Sequence, residues 1–142
     1  MSQVSDSFQA TSYSSIPLPI LTIKFSITKS NGKSFEYNDE YYVDTGFNGD
    51  LKLPQSMGSR LKGMGIKGVV ELVTDASGDT TNDIFQAMIS EIILNNTNIL
   101  NNPQSCIISC FGKDKTAKLV GLNALRNWKV CVDLPQQILS IE

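Results

Sequence analysis

Residues 20–27 alternate strictly: Leu21, Ile23, Phe25 and Ile27 fall on one side, and Thr22, Lys24 and Ser26 on the other. A period of two over that length predicts a strand with one buried face and one wet face. Pro17 and Pro19, just ahead of it, forbid a helix and favour an extended entry. Ser30-Asn31-Gly32-Lys33 carries an Asn-Gly turn signal, and residues 35–43 return as a second strand. Residues 44–50 contain Gly46, Asn48 and Gly49 and read as a tight loop. Leu51 and Leu53 follow, and Pro54 is pre-set to open a short helix through Leu61, which Gly63, Gly65 and Gly68 end. Strand-like runs recur at 69–73, 84–93 and 106–111, parted by turn formers at 75–79 and at Asn95-Asn96. Residues 112–118 read as a charged loop and 119–128 as a helical turn or two. Two last strands, 129–134 and 138–141, flank Pro135-Gln136-Gln137. Short strands at regular spacing predict an all-β closed barrel or sandwich with one or two short helices. The polar, Ser-rich residues 1–15 read as a flexible tail, which leaves 16–142 as a single domain.

Composition narrows the function. The chain has 142 residues, 41% of them hydrophobic and 18% charged, so it suits one domain with its own core. Twelve basic side chains against 14 acidic ones give a net charge of −2, without the basic stripe that a nucleic-acid partner asks for. No apolar run approaches the roughly 20 residues of a spanning helix, so no membrane partner is expected. Residues 1–15 have neither a basic start nor an apolar segment of the secretory kind, and the expected location is cytoplasmic. There is no histidine. That removes Ser-His and Cys-His nucleophile pairs and His-ligated zinc chemistry. The three cysteines, Cys106, Cys110 and Cys131, are an odd number without a C-x-x-C pair, which argues against a disulfide framework and a closed zinc site. Cys106 and Cys110 would share one face of a strand and read as small buried hydrophobes. No metal and no cofactor are expected. Proton chemistry, if any, falls to carboxylates, Lys, Tyr or Cys.

One stretch offers it. Tyr41-Tyr42-Val43 runs straight into Asp44-Thr45-Gly46 and then Phe47-Asn48-Gly49. A carboxylate at a strand end is held by backbone rather than by a long side chain. The Thr hydroxyl can pin a loop, and Gly lets an N–H approach and donate to the carboxylate. Average residue usage gives Asp-Thr-Gly by chance in only about a few per cent of chains this long. An ordinary turn is the competing reading of the tripeptide alone. A second motif lies near the C-terminus: Leu119-Val120-Gly121-Leu122-Asn123-Ala124-Leu125, followed by Trp128 to Asp133.

Taken in order, these features resemble the retropepsin-like aspartic proteases of clan AA, and most of all the small prokaryotic members. An apolar strand enters Asp-Thr-Gly, Leu53-Pro54 opens a helix, 74–81 forms a hairpin, and apolar-Gly-x-Asn precedes a closing strand pair. The resemblance runs from about residue 16 to 142. It implies that Asp44 is catalytic, that Thr45 and Gly46 shape the active loop, and that Ala76, Ser77 and Gly78 lie at the tip of a flap. It implies supporting roles for Gly121 and Asn123, with Asn123 starting a short helix and bonding backbone behind the loop. Peptide hydrolysis by this route holds a water between two carboxyl groups that share one proton. The chain has a single Asp-Thr-Gly, so the resemblance implies a homodimer with one Asp44 from each copy. The substrate it implies is an extended or unfolded polypeptide. Phe47 departs from the small residue of retroviral relatives and is expected to reshape the pocket. The C-terminal strand would join an inter-subunit sheet. An inactive peptide-binding module on the same fold is the alternative, which has no need of the carboxylate. A plain structural β domain would leave both motifs as coincidence.

Overall fold

The structure is a computed structural model that describes residues 3–10, 16–75, 78–113 and 117–142. The chain begins with β1 (Val4–Ser7), then β2 (Ile20–Thr28), β3 (Ser34–Val43) and β4 (Leu51–Leu53). Helix α1 (Gln55–Gly63) separates these from β5 (Val69–Asp75) and β6 (Gly78–Leu94). The remaining strands are β7 (Thr97–Asn98), β8 (Gln104–Cys110), β9 (Leu119–Val120), β10 (Val130–Asp133) and β11 (Ile138–Ile141). The alternation in β2 does what it predicts: Leu21, Ile23, Phe25 and Ile27 are buried, and the residues between them are partly open. Gly32, at φ +83°, makes the turn that returns the chain into β3 in register, with Ile20 opposite Tyr42 and Thr28 opposite Ser34.

Strands β2-β3-β9-β4-β8-β6 are successive neighbours, and β6 also pairs with β2. That last pairing closes a six-stranded barrel. β6 closes it because it runs for 17 residues. Its start pairs with β5, its middle with β8 and its end with β2. The register shifts between Lys24 and Phe25, where Ser90 is the extra residue, and this bulge bends β6 to meet β2. Inside lie Leu21, Ile23, Phe25, Tyr41, Leu51, Leu53, Phe85, Ile89, Ile92 and Ile108. Each such aliphatic or aromatic side chain contributes roughly 1.5–3 kcal/mol on burial. The expected closed all-β barrel is therefore observed, with α1 as the one α-helix among the described residues.

Three expectations change. Residues 4–7 are not a tail but β1, paired antiparallel with β11, and Phe8 beyond it is buried. The β10–β11 hairpin leaves one edge of β11 open, and the N-terminal strand covers it. β11 thus has both edges taken within its own chain, by β1 and β10, and has none left for an inter-subunit sheet. Residues 122–127 are turns rather than a helix, with i to i+3 bonds such as Leu125 N–H to Leu122 O at 3.2 Å.

Cys106 and Cys110 are buried on the same face of β8, as the alternation requires. Burial, with the Asp50 charge adding to it, pushes the Cys106 thiol up to about 12. Burial, with Asp83 adding to it, does the same for Cys110. Neither is a nucleophile at neutral pH. Among the described residues no helix is long and apolar enough to cross a membrane.

A polar knot ties β3 to the approach of β9. The Tyr37 hydroxyl donates to Asp39 Oδ2 at 2.7 Å, and Lys118 donates to the same oxygen. Burial alone would raise Asp39; the bonds from Lys118 and Tyr37 outweigh it and hold its carboxyl below the ordinary range. Lys118 moves the opposite way: burial lowers it, and the bond to Asp39 outweighs that to give a net rise. A lowered carboxyl stabilises the fold above its unfolded value near 4 and loses that stabilisation as pH falls. A raised ammonium stabilises below its unfolded value, about 10.4. Lys118→Met should therefore cost up to about 1 kcal/mol at pH 7, the scale of a largely solvated pair. That cost should shrink as pH falls below about 4 and through the lowered Asp39 value, as urea unfolding at successive pH values would show.

Candidate active site

Asp44 stands one residue past the end of β3. Its backbone N–H donates to Val120 O at 3.0 Å, which continues the parallel β3–β9 ladder into the loop. Its side chain is partly open, and Oδ1 accepts the Gly46 N–H at 2.9 Å. A Cβ on Gly46 would stand 3.2 Å from that oxygen, so the glycine gives its N–H an unobstructed approach. Thr45 and Gly46 are exposed beside it. The arrangement offers one oriented, partly open carboxyl with an exposed threonine beside it.

The loop is fixed by the topology around it. β3 and β4 are not neighbours: β9 lies between them, parallel to β3 and antiparallel to β4. The chain leaving β9 crosses directly behind the 44–50 loop. Leu122 N–H donates to Phe47 O at 2.9 Å, Asn123 N–H to Gly49 O at 3.2 Å, and Gly121 N–H to Asp50 O at 2.8 Å. At Gly121 the approach is so close that an added Cβ would lie 2.2 Å from Gly49 O and 2.6 Å from Phe47 O. The glycine of the second motif is required by backbone contact with the first.

Phe47 packs into the same loop. It is half-buried, and its ring folds back over the loop: a Cβ at Gly49 would stand 2.6 Å from it and one at Gly121 2.7 Å. It fills the knot between the two motifs. Asn123 bonds backbone behind the loop as expected, through its N–H to Gly49 O, but differs in the rest. Its side chain donates to a carboxylate, Asp50 Oδ1 at 2.7 Å, and starts no helix.

Asp50 is the site residue that sequence reasoning missed. It is 4% exposed, and its other oxygen accepts the Ile107 N–H at 2.7 Å. Next to Gly49 it reads as one more turn former. The available signal was an acid directly before the Leu51-Lys52-Leu53 strand, which is buried on both faces. A cavity of about 560 Å³ opens beside Asp50 and Asn123, lined also by Gln86, Met88, Ser105 and Arg126. Asp44 is not among its walls. The cavity lies behind the loop and not over the carboxyl.

The β5–β6 hairpin pairs from Val69–Ile84 to Asp75–Gly78. Ala76 and Ser77, expected at its tip, lie outside the described residues; Gly78 starts β6 opposite Asp75. α1 holds the root of the hairpin: Gln55 donates to Thr81, and Lys62 pairs with the buried Asp83 at 3.1 Å. Val69, Val70 and Leu72 on the outer strand are 64%, 57% and 72% exposed, apolar side chains left open among the described residues.

No family model matches the sequence, and no curated protein matches it either. Among solved structures, the chain is similar to a retropepsin-like aspartic protease from Rickettsia conorii. The two share 14% identity at a TM-score of 0.51, over 99% of this chain and 98% of the other. At that identity the likeness establishes a shared retropepsin-like fold.

Proposed function

We propose that this protein is an aspartic endopeptidase that hydrolyses extended or unfolded polypeptides as a homodimer, with one Asp44 from each copy facing across a two-fold axis. The observation that carries the reading is Asp44 itself: a partly open carboxyl oriented by Gly46 N–H, in a loop strapped from behind, on a retropepsin-like fold. One carboxyl of the pair takes a proton from the water while the other donates to the scissile carbonyl oxygen. The water oxygen attacks the carbonyl carbon, and collapse of the tetrahedral adduct expels the amine, which carries the proton away. One chain supplies half of this machinery, and the symmetric assembly completes it. In this reading Thr45, exposed beside Asp44, bonds the partner loop. The exposed apolar side chains of β5 favour an apolar peptide segment against the hairpin.

The direct trial offers the protein an unfolded polypeptide across acidic to neutral pH. Cleavage, strongest on the acid side and blocked by a transition-state mimic with a central hydroxyl, is the expected result. Cleavage that ignores such a mimic would contradict the reading.

A further inference from the structure

We infer that Asp50 is a positioning residue, which with Asn123 sets where the Asp44 carboxyl stands. Asp50 is almost wholly enclosed, and both of its oxygens are occupied, by Asn123 Nδ2 and by Ile107 N–H, each at 2.7 Å. Among the described residues no cation pairs with it; its charge is carried by neutral N–H donors alone. A carboxylate kept away from water on those terms demands both bonds. Its own carbonyl accepts Gly121 N–H at 2.8 Å, so a single residue grips the 121–123 turn by side chain and by backbone. That turn in turn holds Phe47 O and Gly49 O, and Val120 just before it holds Asp44 N–H. The Asp50–Asn123 contact thus fixes the turn behind the loop, beside the direct β3–β9 tie through Val120. A carboxyl that must meet its mate across a shared water tolerates little displacement, since an error of about 1 Å can cost 10²-fold in rate.

The inference rests on the proteolytic reading, and a donor–acceptor swap read by amide exchange and by kcat keeps the failure of one distinguishable from the failure of the other. Asn123→Asp alone sets two carboxylates against each other. Adding Asp50→Asn restores one donor facing one acceptor and still leaves an oxygen for Ile107 N–H. Asp50→Asn alone is mild, because the exposed Asn123 amide can turn its oxygen to the new donor. For Asn123→Asp at pH 7, the Gly121 and Leu122 amides should exchange about tenfold faster or more, the scale of a lost bond to a charged group. The Phe85 and Ile108 amides should not change. In the same variant kcat should fall about tenfold or more, with KM held within about threefold, and the double variant should recover both readouts to within about threefold of the wild type. Where the single variant does not fold, comparison of the double variant with the wild type decides. A double variant as loose as Asn123→Asp, or an unaltered Asn123→Asp, overturns the strap. Exchange that follows the swap while kcat in an active enzyme does not would reduce Asp50 to a stability residue and overturn the positioning role. A wild type without peptidase activity, whose exchange still follows the swap, keeps the strap and removes the proteolytic reading instead.

Discussion

Asp44→Asn is expected to lower kcat on an unfolded substrate by about 10³-fold or more, within the range that positioned acid–base groups supply. The fold should survive. The amide keeps an oxygen where Oδ1 now accepts the Gly46 N–H, so the loop loses no bond. Asp44 is partly open and lies outside the buried core, so its replacement should move stability by no more than about 0.5 kcal/mol. What the variant lacks is the ability to take a proton from water; the other carboxyl of the loop, Asp50, is buried with both oxygens bonded. Cys106 and Cys110 are buried with raised thiols, and the chain has no histidine. Kinetics beside a melting curve make the comparison. Turnover that persists in a folded Asp44→Asn protein would place the chemistry elsewhere.

Gly121→Ala is the second large effect. The new methyl group would meet two backbone carbonyl oxygens at 2.2 and 2.6 Å, which no side-chain rotation relieves. Either β9 or the 47–49 segment must move. We expect a loss of about 3 kcal/mol or more, which is about 10 °C in Tm for a domain this size, together with most of the activity. Removing the Phe47 ring as well should not rescue it, because the clash is with backbone. Gly63→Ala is the control: a Cβ there meets nothing within 4 Å, so the change should be neutral or stabilising by up to about 1 kcal/mol. A Gly121→Ala protein as stable as the wild type would mean that the two motifs do not press on each other as described.

The local features of the fold were legible. Alternation in β2, the turn at Gly32 and the helix after Pro54 are set by neighbours within a few residues, and each stands close to where it was expected. Asp44 was legible for the same reason, as a strand end meeting a Gly loop. What escaped depends on distant partners. β1 is a strand because β11, more than 130 residues later in the chain, has an open edge for it. β6 is longer than its apolar run, because pairing with β5 carries the polar residues Asp79 to Asp83 into the ladder. Lys52 breaks the alternation of a half-buried strand, since β4 is flanked by both β8 and β9; its ammonium lies 4.7 Å from the centre of the Phe111 ring. Asp50 reads as a turn former until Asn123, 73 residues away, is brought against it. The packing of Phe47 was not legible, because the space at Gly49 and Gly121 that receives its ring exists only once the chain leaving β9 crosses the loop.

The central claim is that two chains share one catalytic centre, and subunit mixing tests it most directly. Wild-type protein and Asp44→Asn protein are unfolded together in equal amounts, refolded so that the copies exchange, and assayed at fixed total concentration. If the centre needs Asp44 from both copies, only the dimers with two wild-type subunits work, and activity falls to about one quarter of the all-wild-type value. A fall to one half, with activity following the wild-type fraction in direct proportion, would mean that each chain works alone.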